Sequence, residues 1–102
     1  MVKIKEEVVE QLKALHNLAS DYIQGFNYDE VSDLDIIRSA SDLFNENIDE
    51  LIYNDDVYDI FVQCTMFVDK DFDHILTLEE RILLPLQLVA DLVKVLDAFL
   101  NN

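Results

Sequence analysis

Between Asp49 and Asp59 the chain sets tyrosines among carboxylates: Asp49-Glu50, then Tyr53-Asn54-Asp55-Asp56-Val57-Tyr58-Asp59. The chemistry this suits is recognition of a basic protein. Tyr gives a large contact at low entropic cost and carries a polar tip, and it is enriched at binding hot spots. Carboxylates steer a cationic partner and pair with its Arg and Lys. Tyr22 and Tyr28, with Asp29 and Glu30, are candidates to extend the surface. Any one of these tyrosines, taken singly, is more often a cap on the core. That alternative accounts for the rings but not for the charge around them. Formal charge is −15, and residues 29–80 hold 16 acids against Arg38 and Lys70. Residues 1–28 and 81–102 are nearly neutral. Self-repulsion on this scale costs stability, and solubility is served by about 2 to 8 charges. The distribution therefore favours a basic partner or a cation, and disfavours direct contact with nucleic acid or an anionic membrane.

A second acidic segment runs Asp69-Lys70-Asp71-Phe72-Asp73-His74-Ile75-Leu76-Thr77-Leu78-Glu79-Glu80. It resembles the twelve-residue calcium loop of the EF-hand family. The resemblance implies calcium held by Asp69, Asp71, Asp73 and Glu80, since calcium takes six to eight hard oxygens and a Glu at position 12 closes the shell. The segment departs from the pattern at His74, where the family's Gly turns the chain sharply; a side chain there costs about 1 kcal/mol. Arg81 follows where an apolar residue is usual, and no second loop is present. The plainer reading is an acidic loop leading into a capped helix.

The stretch Asp49-Glu50-Leu51-Ile52-Tyr53 is similar to the tyrosine-bearing segment of the DNase-colicin immunity family. More broadly, a compact acidic helical protein with interleaved aromatics resembles the bacterial immunity proteins that neutralise nuclease toxins. The family's second adjacent tyrosine and following proline are Asn54 and Asp55 here. The resemblance implies a basic toxin nuclease domain as partner, blocked by carboxylates offered where it expects phosphates. Asp49, Glu50, Tyr53, Asp55, Asp56, Tyr58 and Asp59 are then the partner-binding residues. A different use of the same charge is a DNA-mimic inhibitor of a nucleic-acid-binding complex, whose acids should form rows at phosphate-like spacing.

Enzyme readings lack parts. Carboxylate pairs abound, as in any acidic chain, but there is no nucleophile elbow, phosphate-binding Gly loop or zinc spacing. Cys64 is the only cysteine. It cannot form an internal disulfide, and it reads as a small core residue. His16 reads as a surface or boundary residue. No catalytic residue and no cofactor other than calcium is expected.

The elements that must position these residues are helical. Gly25 and Pro85 are the only residues of their types, whereas all-β folds lean on many Gly-bearing turns. Ile4, Val8, Leu12, Leu15, Ala19, Tyr22 and Phe26 recur at helical steps, predicting a first helix from about Val2 to Gln24 with Gly25 as its stop. Ser32 with Asp35 predicts a capped second helix. Its stripe is Leu34, Ile37, Ser41, Phe44, Ile48 and Leu51, taken as one helix to Tyr53 with a weak point at 45–47. Asp55 or Asp56 should cap a third helix burying Val57, Ile60, Phe61, Cys64 and Val68, with Met66 and Phe67 widening that face. Thr77 and Glu80 form a capping box for a fourth, very apolar helix that Pro85 should kink. Only Gln87, Asp91, Lys94 and Ala98 trace a polar stripe along it.

The expectation is one acidic all-α domain over residues 1–102: a bundle of four helices, or five if the weak point breaks. Four charges in the first seven residues are unlike a signal peptide. Asp91, Lys94 and Asp97 interrupt the most apolar stretch. The expected compartment is the cytoplasm. A homodimer through residues 82–100 is compatible with their apolarity.

Overall fold

The computed structural model describes residues 5–26, 30–68 and 77–101. Among the described residues five helices follow in order: α1 (Glu6–Gln24), α2 (Asp33–Glu46), α3 (Ile48–Leu51), α4 (Asp55–Val68) and α5 (Leu78–Leu100). No strand occurs among the described residues, so the chain is an all-α bundle.

Local chemistry sets the boundaries. Gly25 follows α1 with φ +89°. The Phe26 and Gly25 N–H groups donate to the Asp21 and Tyr22 carbonyls at 2.9 and 3.0 Å. This is a Schellman closure, which needs a left-handed residue that Gly alone supplies without strain. Both predicted capping boxes form. Asp35 N–H donates to Ser32 Oγ and Ser32 N–H to Asp35 Oδ2; Glu80 N–H donates to Thr77 Oγ1 and Thr77 N–H to Glu80 Oε1.

Two boundaries differ from expectation. The weak point in the second helix is a true break at Asn47. Its N–H still donates to the Leu43 carbonyl at 3.1 Å, and its Nδ2 donates to that same carbonyl and to Gln11 Oε1, both at 2.9 Å, so the side chain caps the end of α2. The cap of α4 is Asn54, not Asp55 or Asp56: Asn54 Oδ1 accepts the Val57 N–H at 3.0 Å. Pro85 lies within α5, which runs on past it to Leu100.

Side-chain pairings give the direction of each helix. Gln11 meets Asn47 and Lys5 meets Glu50, so α1 runs antiparallel to α2. Ser41 Oγ lies 3.3 Å from Thr65 Oγ1 and Phe44 stacks on Phe61, so α2 runs antiparallel to α4. Asn54 and Asp56 face Lys94, Val95, Ala98 and Phe99, so the start of α4 lies against the end of α5. At about 1.5 Å per residue α5 spans about 35 Å, most of the 42 Å longest extent. The result is an up-down-up-down bundle in which α1 and α4 run against α2 and α5. One end carries the start of α1, all of α3, the start of α4 and the end of α5.

The core follows the helical stripes. Val8, Leu12, Leu15, Ala19 and Tyr22 of α1 meet Leu88, Val89, Leu92 and Leu96 of α5, with Ile36, Ile37, Ala40, Leu43, Phe44, Leu51, Val57, Ile60, Phe61, Cys64 and Phe67 completing it. Tyr22 is buried, so it does not extend an external surface as expected. Tyr28 and Asp29 lie outside the described residues. Phe26, Leu34, Ile48, Met66 and Val68 are exposed, against expectation. All but Met66 sit at or beyond a helix terminus, where the stripe turns away from the core. Of the expected polar stripe on α5, Gln87, Lys94 and Ala98 are exposed and Asp91 is half-buried. No described helix is long and apolar enough to cross a membrane.

Candidate partner interface

The break at Asn47 shapes the candidate surface. Had α2 continued, Ile48 would have fallen on the core stripe with Ser41 and Phe44. The break re-aims the chain, so that in α3 only Leu51 is fully buried while Ile48 and Asp49 face solvent. Ile52 and Tyr53 then form the turn into α4, both exposed, Tyr53 at 66%. Asn54 closes the corner by capping α4.

The geometry of α4 sorts the remaining residues. Val57, Ile60, Phe61 and Cys64 face inward. At 100° per residue, Asp55 and Asp59 therefore fall on the outer face, one turn apart. Tyr58 turns toward α2, where its ring meets Phe44 edge-on at 5.7 Å and 62°. It is anchored by that contact but still 36% exposed. Asp56 turns the other way, toward α5. There it lines a groove of about 210 Å³ with Asn54, Lys94, Val95, Ala98 and Phe99.

Six of the seven expected partner-binding residues, Asp49, Tyr53, Asp55, Asp56, Tyr58 and Asp59, thus lie exposed around one corner. Glu50 is turned inward. Its Oε1 is 3.5 Å from Lys5 Nζ, and its Oε2 is buried with no hydrogen-bond partner. Asp49, Asp55 and Asp59 make no ion pair among the described residues. Their charges are open to an outside cation. Ile48 and Ile52 belong to the same surface and were missed from sequence. Only the break at Asn47 exposes Ile48, and the Asn45-Glu46-Asn47 run was its one signal.

Of the expected calcium ligands, Asp69, Asp71 and Asp73 lie outside the described residues. Glu80 is exposed, and one carboxylate oxygen is taken by the Thr77 N–H. That bond and the Thr77 hydroxyl hold the Glu80 carboxyl below its ordinary value. Ser32 does the same to Asp35, from its backbone first and its side chain second, with Arg38 adding a little. Among the described residues no group of three or more His, Cys, Asp or Glu is placed to hold a metal ion. Burial pushes the Cys64 thiol up to about 12, so no ready thiolate is present. His16 is half-buried, with Nε2 3.6 Å from Asp97 Oδ1, and His74 lies outside the described residues.

Comparison with family models, with curated proteins and with solved structures gives no match for this chain.

Proposed function

We propose that this chain is a non-catalytic acidic binding protein that neutralises a basic protein through the α3–α4 corner. A nuclease toxin domain is the partner whose chemistry fits best, which would make the chain a bacterial, cytoplasmic immunity protein. The observation that carries the reading is Tyr53, two-thirds exposed in the turn between Asp49 and Asp55. An aromatic ring held open to water gains much by docking, and most interface energy sits in such residues. Around it, carboxylates stand where a nuclease would present cations to phosphates. Ile48, Ile52 and Tyr58 add apolar contact, which a protein partner uses and a DNA mimic does not need.

The test is kinetic binding to a basic toxin-like protein, sought first among the products of the genes adjacent to this one. Between about 50 and 500 mM salt the on-rate should fall about tenfold or more, because screening removes the steering. Tyr53→Ala combined with Asp55→Asn and Asp59→Asn should weaken affinity at least about a hundredfold, given about 2 kcal/mol or more for a hot-spot ring. Unchanged affinity in that variant would remove the corner from the reading.

A further inference from the structure

We propose that the groove between α1 and α2 is a second docking site, which takes one amphipathic helix carrying Lys or Arg along one edge of its apolar stripe. The groove is an open depression of about 390 Å³, lined by Gln11, Ala14, Leu15 and Leu18 of α1 and by Ser39, Asp42, Leu43 and Glu46 of α2. It exists because α1 and α2 pack less closely on each other than on α5 and α4 respectively, and because Ala14 is too small to fill the gap. Leu15 and Leu43 are buried beneath it, Leu18 is half-buried, and Ala14 is exposed. The Asn47–Gln11 hydrogen bond closes the end nearest α3.

Three observations choose the occupant. From Leu18 to Gln11, and from Ser39 to Glu46, the walls run about 10 Å, which is two helical turns. Two antiparallel helices present ridges that a third helix fits, with anchors at i, i+3/i+4 and i+7. An extended strand would need a sheet edge, and the described residues offer none. The charge is one-sided: Asp42 and Glu46 stand on the α2 wall, while the α1 wall has Gln11 and Ala14, and no Lys or Arg lines the groove among the described residues. A helix with cations on both edges would waste one set, and one with acids would be repelled.

This site lies apart from the α3–α4 corner, so it can fail while the corner stands. The probe is a synthetic fourteen-residue amphipathic Leu–Lys peptide, titrated into the isotopically labelled full chain and followed by NMR. Two control peptides are a scramble of equal composition and a Leu–Glu analogue. Amide shifts should concentrate on Gln11, Ala14, Ser39 and Leu43, and both controls should bind at least about tenfold more weakly. Ala14→Phe, which fills the groove from an exposed position, should weaken binding about tenfold. The pair Asp42→Asn with Glu46→Gln should do the same if Ala14→Phe disturbs the fold. The corner variant Tyr53→Ala, Asp55→Asn, Asp59→Asn should bind the peptide within about twofold of the parent. Absence of binding, equal binding of the scramble, shifts centred on the corner, or indifference to the groove variants would each overturn the proposal.

Discussion

Lys5 Nζ lies 3.5 Å from Glu50 Oε1, while Glu50 Oε2 is sealed from water without a hydrogen-bond partner. The lysine is mostly exposed and the glutamate mostly buried. The pair is therefore lopsided: the carboxylate has lost its water and regained one cation, and that cation is still well solvated.

The first prediction follows from that imbalance. A buried charge that loses its partner costs more than a partnered one gains, but Lys5 is solvated, so its contribution is discounted. Lys5→Ala should cost about 0.5 to 1 kcal/mol. Glu50→Met should be neutral or stabilising by about 1 kcal/mol, because it removes the orphaned oxygen along with the charge. Urea denaturation of the two variants checks both signs. A loss of 2 kcal/mol or more for Glu50→Met would show that Oε2 is satisfied in solution.

The second prediction separates stability from function. Asp55 and Asp59 share the outer face of α4 at i and i+4, where like charges cost about 0.2 to 0.5 kcal/mol. Asp59→Lys replaces that repulsion with a favourably oriented acid-to-base pair, for a net gain of about 0.4 to 1 kcal/mol. The same change puts a cation into the proposed partner surface. The variant should melt higher and bind a basic partner less tightly. A variant that melts higher and binds equally well would place Asp59 outside the interface.

Cys64 offers a third. It is fully buried beside Phe61 on the inner face of α4, and burial pushes its thiol up to about 12. The native chain should therefore resist thiol reagents at neutral pH, and labelling should follow the open population. The labelling rate should rise with urea in step with unfolding. Cys64→Ser, which leaves a hydroxyl in an apolar site, should cost about 1 to 3 kcal/mol. Fast labelling of the folded chain would contradict the packing of α4.

The capping boxes give a fourth, through pH. Asp35 and Glu80 accept hydrogen bonds from Ser32 and Thr77, and both carboxyls are held below their ordinary values. A depressed folded pKa means stability that is present above the unfolded value, about pH 4, and lost as pH falls through the lower folded value. Ser32→Ala and Thr77→Ala should each lower the denaturation midpoint at pH 7. The difference from the parent should shrink below about pH 4. A difference that stays constant to about pH 2 would show that the carboxylate bonds do not contribute.

Most of this architecture was legible because helical periodicity and caps are local. The stripe Val8, Leu12, Leu15, Ala19 and the boxes at Ser32 and Thr77 needed only neighbours within one turn. What escaped depended on tertiary partners. Asn47 breaks α2 with help from Gln11, which lies 36 residues away, and so Ile48 and Ile52 could not be placed outside. Glu50 reads as one more surface acid until Lys5 is seen across the bundle end. Tyr22 was misread because its α1 stripe predicted burial while its aromatic type suggested a surface, and the stripe decided the outcome. The groove between α1 and α2 arises from the spacing of two helices, for which no single residue type is a signal.

Ionic strength gives the last prediction, and it bears on the charge itself. The chain carries a net −15, and among the described residues two of its few cations are already paired, Lys5 with Glu50 and Lys13 with Glu10. Among the described residues every helix has acids in its first turn, which the dipole favours, but none has a base in its last turn. The acids are thus well placed locally and repulsive globally. At about 0.15 M salt the screening length is about 8 Å, so repulsion between neighbouring acids survives while repulsion across the 42 × 31 × 19 Å bundle is largely screened. Raising salt from about 0.02 to 0.5 M should stabilise the chain by on the order of 1 kcal/mol, or about 4 to 8 °C in Tm. Over the same range, binding to a cationic partner should weaken. Opposite salt dependences for folding and binding are what a surface built to be neutralised by another molecule requires. A Tm that falls with salt would mean that favourable ion pairs outweigh the repulsion, and the excess acid would then need no partner to account for it.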